Sequence, residues 1–479
     1  MCDEAGFDRE LRDTVYWVAL MRYIGCTGHA HEVATVFGDE IAIRAQTLIH
    51  DSADPAEVMR DVIAFATAGH PPEAHDAIVE GLHEGAYDWA VHNFGTGCDI
   101  GDIILERLDF DPEVRRALAF TFERWNGHGF PHGAKGTDIP LAMRIVHIGH
   151  DMEAIGRRFS PAEAVLAVAD RRDRTYDPAL ADLFAVHGSD WFERLGKVDP
   201  WDAALDEEPK PYRTLRGEDL DTALLVAADF IDLKSPYMAG HSRRCAQLAA
   251  DTAERLGYDA EAITQLRRAA LVHEFGTTAV PNSIWDKPGP LTRAERDRVE
   301  IHAMLTEQIL RRSDALAVLN PVAACHHEKA DGSGYHKGMA TGALEPGALV
   351  LAAADIYVAL TTDRADRPAF SGREAAAELR RRAADGQLDA DITDAVLAAA
   401  GHDQPKSTRS GRTYPGGLTK REVEVLRLAA RGFTIQQIAG ELFISPKTAD
   451  SHIQHIYTKI EVSNRATAAM WAMQNGLVG

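Results

Sequence analysis

The sequence predicts an all-α protein with more than one domain, and three observations carry that prediction. Apolar residues recur three and four positions apart through nearly every long segment, the spacing of one buried helical face. Ala, Leu, Arg and Glu dominate while alternating Val- and Ile-rich runs are scarce, which favours helix over strand. The chain has 479 residues, more than one hydrophobic core organises, so two or three domains are expected.

Composition narrows the function class. Hydrophobic residues make up 45% and charged residues 26%, as in ordinary globular proteins. No apolar run reaches the roughly 18 residues of a membrane span. The acidic opening MCDEAGFDRE lacks the apolar core of a signal peptide, so a cytoplasmic protein is expected. The five cysteines, Cys2, Cys26, Cys98, Cys245 and Cys325, form no CxxC pair. A zinc ribbon and a thioredoxin-type motif are therefore not expected, and reduced, mostly buried thiols are. The net charge of −22 is uneven: residues 405–479 hold 10 Lys and Arg against 5 Asp and Glu, which leaves the remainder at −27. A small basic module on a large acidic body can meet phosphates with one end only.

Two segments resemble each other. Residues 123–141 read ERWNGHGFPHGAKGTDIPL and residues 328–346 read EKADGSGYHKGMATGALEP. Each opens on Glu, makes a glycine-rich turn with an aromatic, and lies between a helical pattern and an apolar one. Two copies of one helical unit are expected, the first diverged. Stretches rich in turn residues at 197–216 and 401–417 read as linkers. They bound three domains at 1–200, 216–400 and 418–479.

The last of these carries helix signals in sequence. Thr419 and Glu422 make a capping box, and the helix they start stops at Gly432. A short amphipathic helix, TIQQIAGELF, follows. Ser445 can cap the third helix and Pro446 suits its first position. That helix alternates Ala449, Ile453, Ile456 and Ile460 with a polar face of Lys447, Thr448, Asp450, Ser451, His452, Gln454, His455 and Lys459. A fourth begins near Ser463. Over about 62 residues the pattern resembles the LuxR/GerE-type helix-turn-helix. The resemblance implies binding of double-stranded DNA, with the third helix in the major groove. It assigns groove contact to Lys447, Thr448, Ser451, His452 and His455, and phosphate contact to Lys459. Asp450 on the same face can accept from cytosine. The resemblance also implies pairing of two modules through the fourth helix, with Trp471, and hence a homodimer.

Residues 216–400 carry spaced histidines and acids: His241, His273, Glu274, His302, His326, His327 and Asp355. Imidazole with carboxylate suits iron, manganese or zinc-like ions, and such a set can hold two metals. The segments SPYMAGHS, AVPNSIWDKPGPLT, HHE…DGSGYH and ADIYVALTTDR resemble the HD-GYP phosphohydrolases, whose typical members hydrolyse cyclic di-GMP. The resemblance implies those seven residues as ligands of a divalent metal, iron or manganese, up to two ions. Departures from the family pattern predict weak turnover. Glu274 replaces the Asp of the His-Asp pair, Thr277 replaces a lysine that would stabilise charge on phosphate, and Leu349 replaces an arginine expected to face the ligand. His336 replaces the Pro of the GYP motif, and Tyr237 replaces an acid, which makes a third metal unexpected.

The first 200 residues resemble a degenerate copy of the same unit. Gly127, Gly129, Phe130, Pro131 and Arg144 persist, but Thr121-Phe122 stand where the paired histidines would be, and His150 with Asp151 at the late Asp. A sensory or dimerising role is expected there rather than catalysis. Cys26, His29 and His31 lie close in sequence, either as ligands or, more commonly, as packed residues.

The expected function is a DNA-binding transcription regulator whose HD-type domains sense a metal, nucleotide or other small molecule. The alternatives are a working metal-dependent phosphodiesterase coupled to DNA binding, and a protein-interaction scaffold.

Overall fold

The computed structural model describes residues 1–68, 71–402 and 414–478. The expected all-α class holds: among the described residues, extended chain forms only isolated bridges. Contacts divide the chain into two compact units, residues 1–215 and 216–479. Most of the 401–417 stretch read as a linker lies outside the described residues. Part of the 197–216 stretch is helical, Pro200–Asp206, and Tyr16 donates to the Ala204 carbonyl at 2.9 Å, fastening it to the first unit.

The first unit wraps helices around two main apolar clusters. Val18, Leu105, Val114, Ile139 and Met143 fill one; Ile148, Met152, Val168, Tyr176 and Phe184 fill the other. The helix Leu141–Arg158 serves both, so its buried stripe spans the unit. Its 36-residue neighbour Pro72–Arg107 buries mainly its second half, from Asn93 to Leu105.

The second unit is built around the helix Pro346–Leu360, PGALVLAAADIYVAL. It is apolar on nearly every side, the pattern of a helix buried all round, and Asp355 is its one acid. The helices Glu218–Asp232, His241–Arg255 and Ala260–Val272 pack near it and share a core of Leu224, Leu248, Ala249, Leu271, Leu351 and Val358.

The terminal module has the four expected helices, Lys420–Ala430, Ile435–Glu441, Pro446–Ile460 and Arg465–Gln474. Each starts where the sequence supplies a cap. Thr419 and Glu422 close the capping box as read from sequence, and Gly432 at φ 89° ends the first helix. Ser445 accepts from the Thr448 amide at 3.1 Å, and Asn464 from the Thr467 amide at 3.0 Å.

Candidate metal centre and nucleic-acid interface

Five chain segments converge on one point inside the second unit. His241 opens its helix directly after Gly240, whose left-handed φ of 73° lets the chain turn there. Buried Asp232 caps the same turn by accepting from the Ser242 amide at 2.9 Å and its hydroxyl at 2.7 Å. His273 and Glu274 sit where Ala260–Val272 gives way to a one-turn helix. His302 lies in the helix Arg293–Leu310, His326 and His327 follow the turn Asn320–Ala323, and Asp355 comes from the central helix. Gly276 makes the convergence possible, because a Cβ there would stand 1.9 Å from the His302 carbonyl oxygen. Thr306 bridges the same contact, accepting from the Gly276 amide and donating to the His273 carbonyl, both at 2.9 Å.

All seven residues expected as ligands are thus brought together. Together with Cys245 they fall into two groups, in each of which one donor atom per residue lies within 4.8 Å of the others: His241, Cys245, His273 and Asp355, and Glu274, His302, His326 and His327. His241, His273 and His302 are fully buried, and His327 is the most open of the histidines, at 24% of its side chain. Cys245 was not among the residues singled out from sequence. Its signal there is its place one helical turn after His241, on the same face.

The imidazoles are oriented by their own backbones. Nδ1 of His273, His302 and His326 lies 2.7, 2.6 and 2.7 Å from the carbonyl three residues earlier. A carbonyl only accepts, so each Nδ1 carries the proton and each Nε2 turns a lone pair inward. His302 Nε2 and His326 Nε2 face each other at 3.2 Å. His273 Nε2 and Glu274 Oε2 are buried with no hydrogen-bond partner. Lone pairs that converge in a buried place are costly unless a cation or proton lies among them, so the donor set fits a metal. Burial pushes the Glu274 and Asp355 carboxyls up, yet the surrounding imidazoles hold both below the usual carboxylate range.

The departures from the phosphohydrolase pattern have structural counterparts. The Thr277 hydroxyl donates to the Glu274 carbonyl at 2.7 Å, which keeps it in the turn. Leu349 packs with Cys325, Leu344 and Ala348. His336 places Nε2 3.0 Å from Glu307 Oε2. The Tyr335 ring lies over His327, with centroids 4.7 Å apart.

The first unit repeats the turn but not the ligands. Glu123 accepts from the amides of His132 and Ala134 at 2.7 and 2.9 Å; Glu328 accepts from those of Lys337 and Met339 at 2.7 and 2.8 Å. In place of a histidine cluster, buried Arg22 brings its guanidinium 3.7 Å from Asp151. Tyr176 donates to the same carboxylate at 3.1 Å. Among the described residues, the groups able to hold a metal all lie in the second unit. His29 is buried against Gly97, and burial pushes its ring down to about 3, so it behaves as a packed residue.

On the terminal module, Ala449, Ile453, Ile456 and Ile460 are buried. Lys447, Thr448, Asp450, Ser451, His455 and Lys459 are exposed, and His452 is half-buried. The third helix therefore offers its polar face to solvent. Lys459 differs from the rest: its ammonium lies 2.7 Å from Glu422 Oε2 and 3.3 Å from the Gly417 carbonyl. It braces the third helix against the first, an engagement that competes with the phosphate contact expected of it.

Family models match the chain as HD domain at residues 99–180 and 226–392, just over half its length, and as bacterial regulatory proteins of the luxR family at residues 417–472. The 3'3'-cGAMP-specific phosphodiesterase 3 of Vibrio cholerae is 33% identical over 59% of this chain and 62% of its own length. The chain therefore spans less than two thirds of that relative. The transcriptional regulatory protein LiaR of Bacillus subtilis is 40% identical over 19% of this chain and 48% of LiaR. A crystal structure of a cyclic GMP-AMP specific phosphodiesterase of V. cholerae superposes with a TM-score of 0.51 at 25% identity, covering 84% of this chain and 94% of that one. The chain belongs to the HD-domain family and ends in a DNA-binding helix-turn-helix of the luxR family.

Proposed function

We propose that this chain is a transcription regulator in which a metal-bearing HD domain governs how the helix-turn-helix is held. One junction carries the reading. The amide of Gly240, the residue before His241, donates to Met473 Sδ at 3.0 Å, and Met473 lies on the last helix of the DNA-binding module. A Cβ on Gly240 would meet the Val478 carbonyl oxygen at 2.8 Å. Arg431 of the module pairs with Asp363 at 2.8 Å, and Gly432 abuts Pro236. The module thus rests on the turn that presents His241. Whatever repositions His241 also moves the module's seat, and a ligand that favours one seating shifts the population of DNA-competent molecules.

Lys447, Thr448, Ser451, His452 and His455 are assigned to the major groove, and Lys459 to phosphate only once freed from Glu422. His241, His273, Glu274, His302, His326, His327 and Asp355 would hold up to two divalent ions, iron or manganese by their carboxylate and imidazole donors. When bound, such ions supply Lewis acidity. With no membrane-spanning helix among the described residues, a cytoplasmic location accords with DNA as partner.

Binding of the protein to fragments of its own upstream DNA tests the reading. Lys447→Ala is expected to weaken binding and lower the salt slope by about 1, and Thr448→Ala to relax sequence preference. Failure to bind any fragment at low salt overturns it.

The second reading is a phosphodiesterase acting on a cyclic dinucleotide. It is favoured by relatives named as 3'3'-cGAMP-specific phosphodiesterases and by the converged donor set. Thr277 and Leu349, engaged elsewhere, leave it without two of the cationic groups that typical members of the HD-GYP family bring to phosphate. Metal-loaded protein that turns over 3'3'-cGAMP or cyclic di-GMP, and loses the activity in His273→Ala, would establish it. No turnover would leave the regulator alone.

A further inference from the structure

We infer that Cys245 is a thiolate ligand in one of the two metal positions, which makes the pair chemically unequal. The inference rests on the metal reading above. Cys245 follows His241 by four residues on the helix His241–Arg255, so both side chains leave the same face. Its Sγ lies 3.5 Å from His241 Nε2 and is fully buried. With His273 and Asp355 it completes a group of four in which one donor atom from each residue lies within 4.8 Å of the other three. The independent sign of a ligand is His273 Nε2, buried, without a hydrogen-bond partner, and held with its lone pair inward by the Nδ1 contact to Ala270.

Two histidines, a carboxylate and a thiolate are the four donors of a closed tetrahedral site. Metal binding there replaces the thiol proton, which passes to solvent, and forms a metal–sulfur bond with no change of oxidation state. The second position, formed by Glu274, His302, His326 and His327, has only nitrogen and oxygen donors and includes the most exposed histidine. The sulfur biases the first position towards zinc or ferrous iron over manganese, while the second keeps no such preference. The first ion would then hold the helix that seats the DNA-binding module, and the second would be the one able to meet a small ligand.

Cobalt(II) and zinc loading of the full chain tests this. Cobalt-loaded wild-type protein is expected to show a near-ultraviolet sulfur-to-metal charge-transfer band. Cys245→Ala should lose it and Cys325→Ala, altering a buried thiol outside both groups, should keep it. Zinc X-ray absorption on the wild type should show a sulfur neighbour at about 2.3 Å, a readout that does not depend on the variants folding. Wild-type protein that carries metal by elemental analysis but shows no sulfur neighbour overturns the assignment of Cys245 while sparing the metal centre. Wild-type protein that takes up no metal overturns both.

Discussion

The two halves of this protein build the same glycine-rich turn around different centres. In each, a buried glutamate gathers two backbone amides from the far side of the loop, Glu123 from His132 and Ala134, Glu328 from Lys337 and Met339. In each, a glycine lies so close to that glutamate's backbone that a Cβ would stand 2.3–2.5 Å from it. Behind the turn they part. The second unit presents inward lone pairs from three backbone-anchored imidazoles. The first presents Arg22, a permanent cation, beside Asp151, and the paired histidines are Thr121 and Phe122. One half has its positive charge built into the chain; on the reading proposed above, the other would take it from solution. The turn is therefore a folding device that survives without the chemistry, and metal-binding capacity resides in the side chains behind it.

The largest effect expected from this contrast comes from removing the built-in cation. Arg22→Ala takes a buried permanent cation from beside Asp151 and leaves the carboxylate to His150 and Tyr176, and breaking such a buried pair costs about 3 kcal/mol. Denaturant unfolding should show that loss in the transition that reports the first unit. His273→Ala is the matched change in the second unit. It should abolish stoichiometric metal uptake yet cost the metal-free protein less, because the Nε2 it removes has no hydrogen-bond partner and only the neutral Nδ1 contact to the Ala270 carbonyl is lost. A stability loss of equal size in both would erase the distinction.

A smaller effect tests the shared part. Glu123→Gln and Glu328→Gln each replace one amide acceptor with an amide group that repels the facing N–H. Each should cost about 1.5–3 kcal/mol, the usual worth of a hydrogen bond to a charged group, and the two losses should match within about 1 kcal/mol. Strongly unequal losses would mean that the turns only look alike.

The terminal module offers the smallest contrast, a buried capping carboxylate paired with a partly exposed ammonium. Burial pushes Glu422 up, but the Lys459 ammonium and the Thr419 amide and hydroxyl hold it at about 2. A lowered carboxyl contributes stability above its ordinary value of 4.5 and loses it as pH falls towards 2. Partial exposure of Lys459 reduces the worth to about 1 kcal/mol or less. Wild-type protein should lose that much relative to Glu422→Gln between pH 4.5 and 2, and parallel pH profiles would contradict the pairing.

Much of this was legible in the sequence because it rests on local signals. Caps such as Thr419 and Ser445 act within three residues, so the helix-turn-helix could be read element by element. The repeated turn was visible because Glu and the glycines keep their spacing in both copies. The seven residues expected as metal ligands could be collected by their resemblance to a known pattern, and the structure brings them together. What stayed hidden depends on distant pairing. Arg22 meets Asp151 from the other end of its unit, and no spacing rule announces it. Gly276 looks like any turn glycine until the His302 carbonyl is found beside it. Cys245 reads as an ordinary core thiol on an apolar face, and only the approach of His273 and Asp355 sets it apart. Lys459 carried the right charge for phosphate, but Glu422, a capping residue, reaches it first.

The central claim is that the metal centre and the DNA-binding module share a turn, at Gly240 and His241. It is tested most directly by measuring duplex affinity of the full chain, metal-loaded and chelated, at fixed salt, alongside Asp363→Asn. The account predicts that metal changes the Kd by roughly 5–150-fold, the range of ordinary coupling between sites, and that weakening the Arg431–Asp363 contact shrinks that ratio. Equal Kd values with and without bound metal, in a protein shown to carry it, would contradict the account.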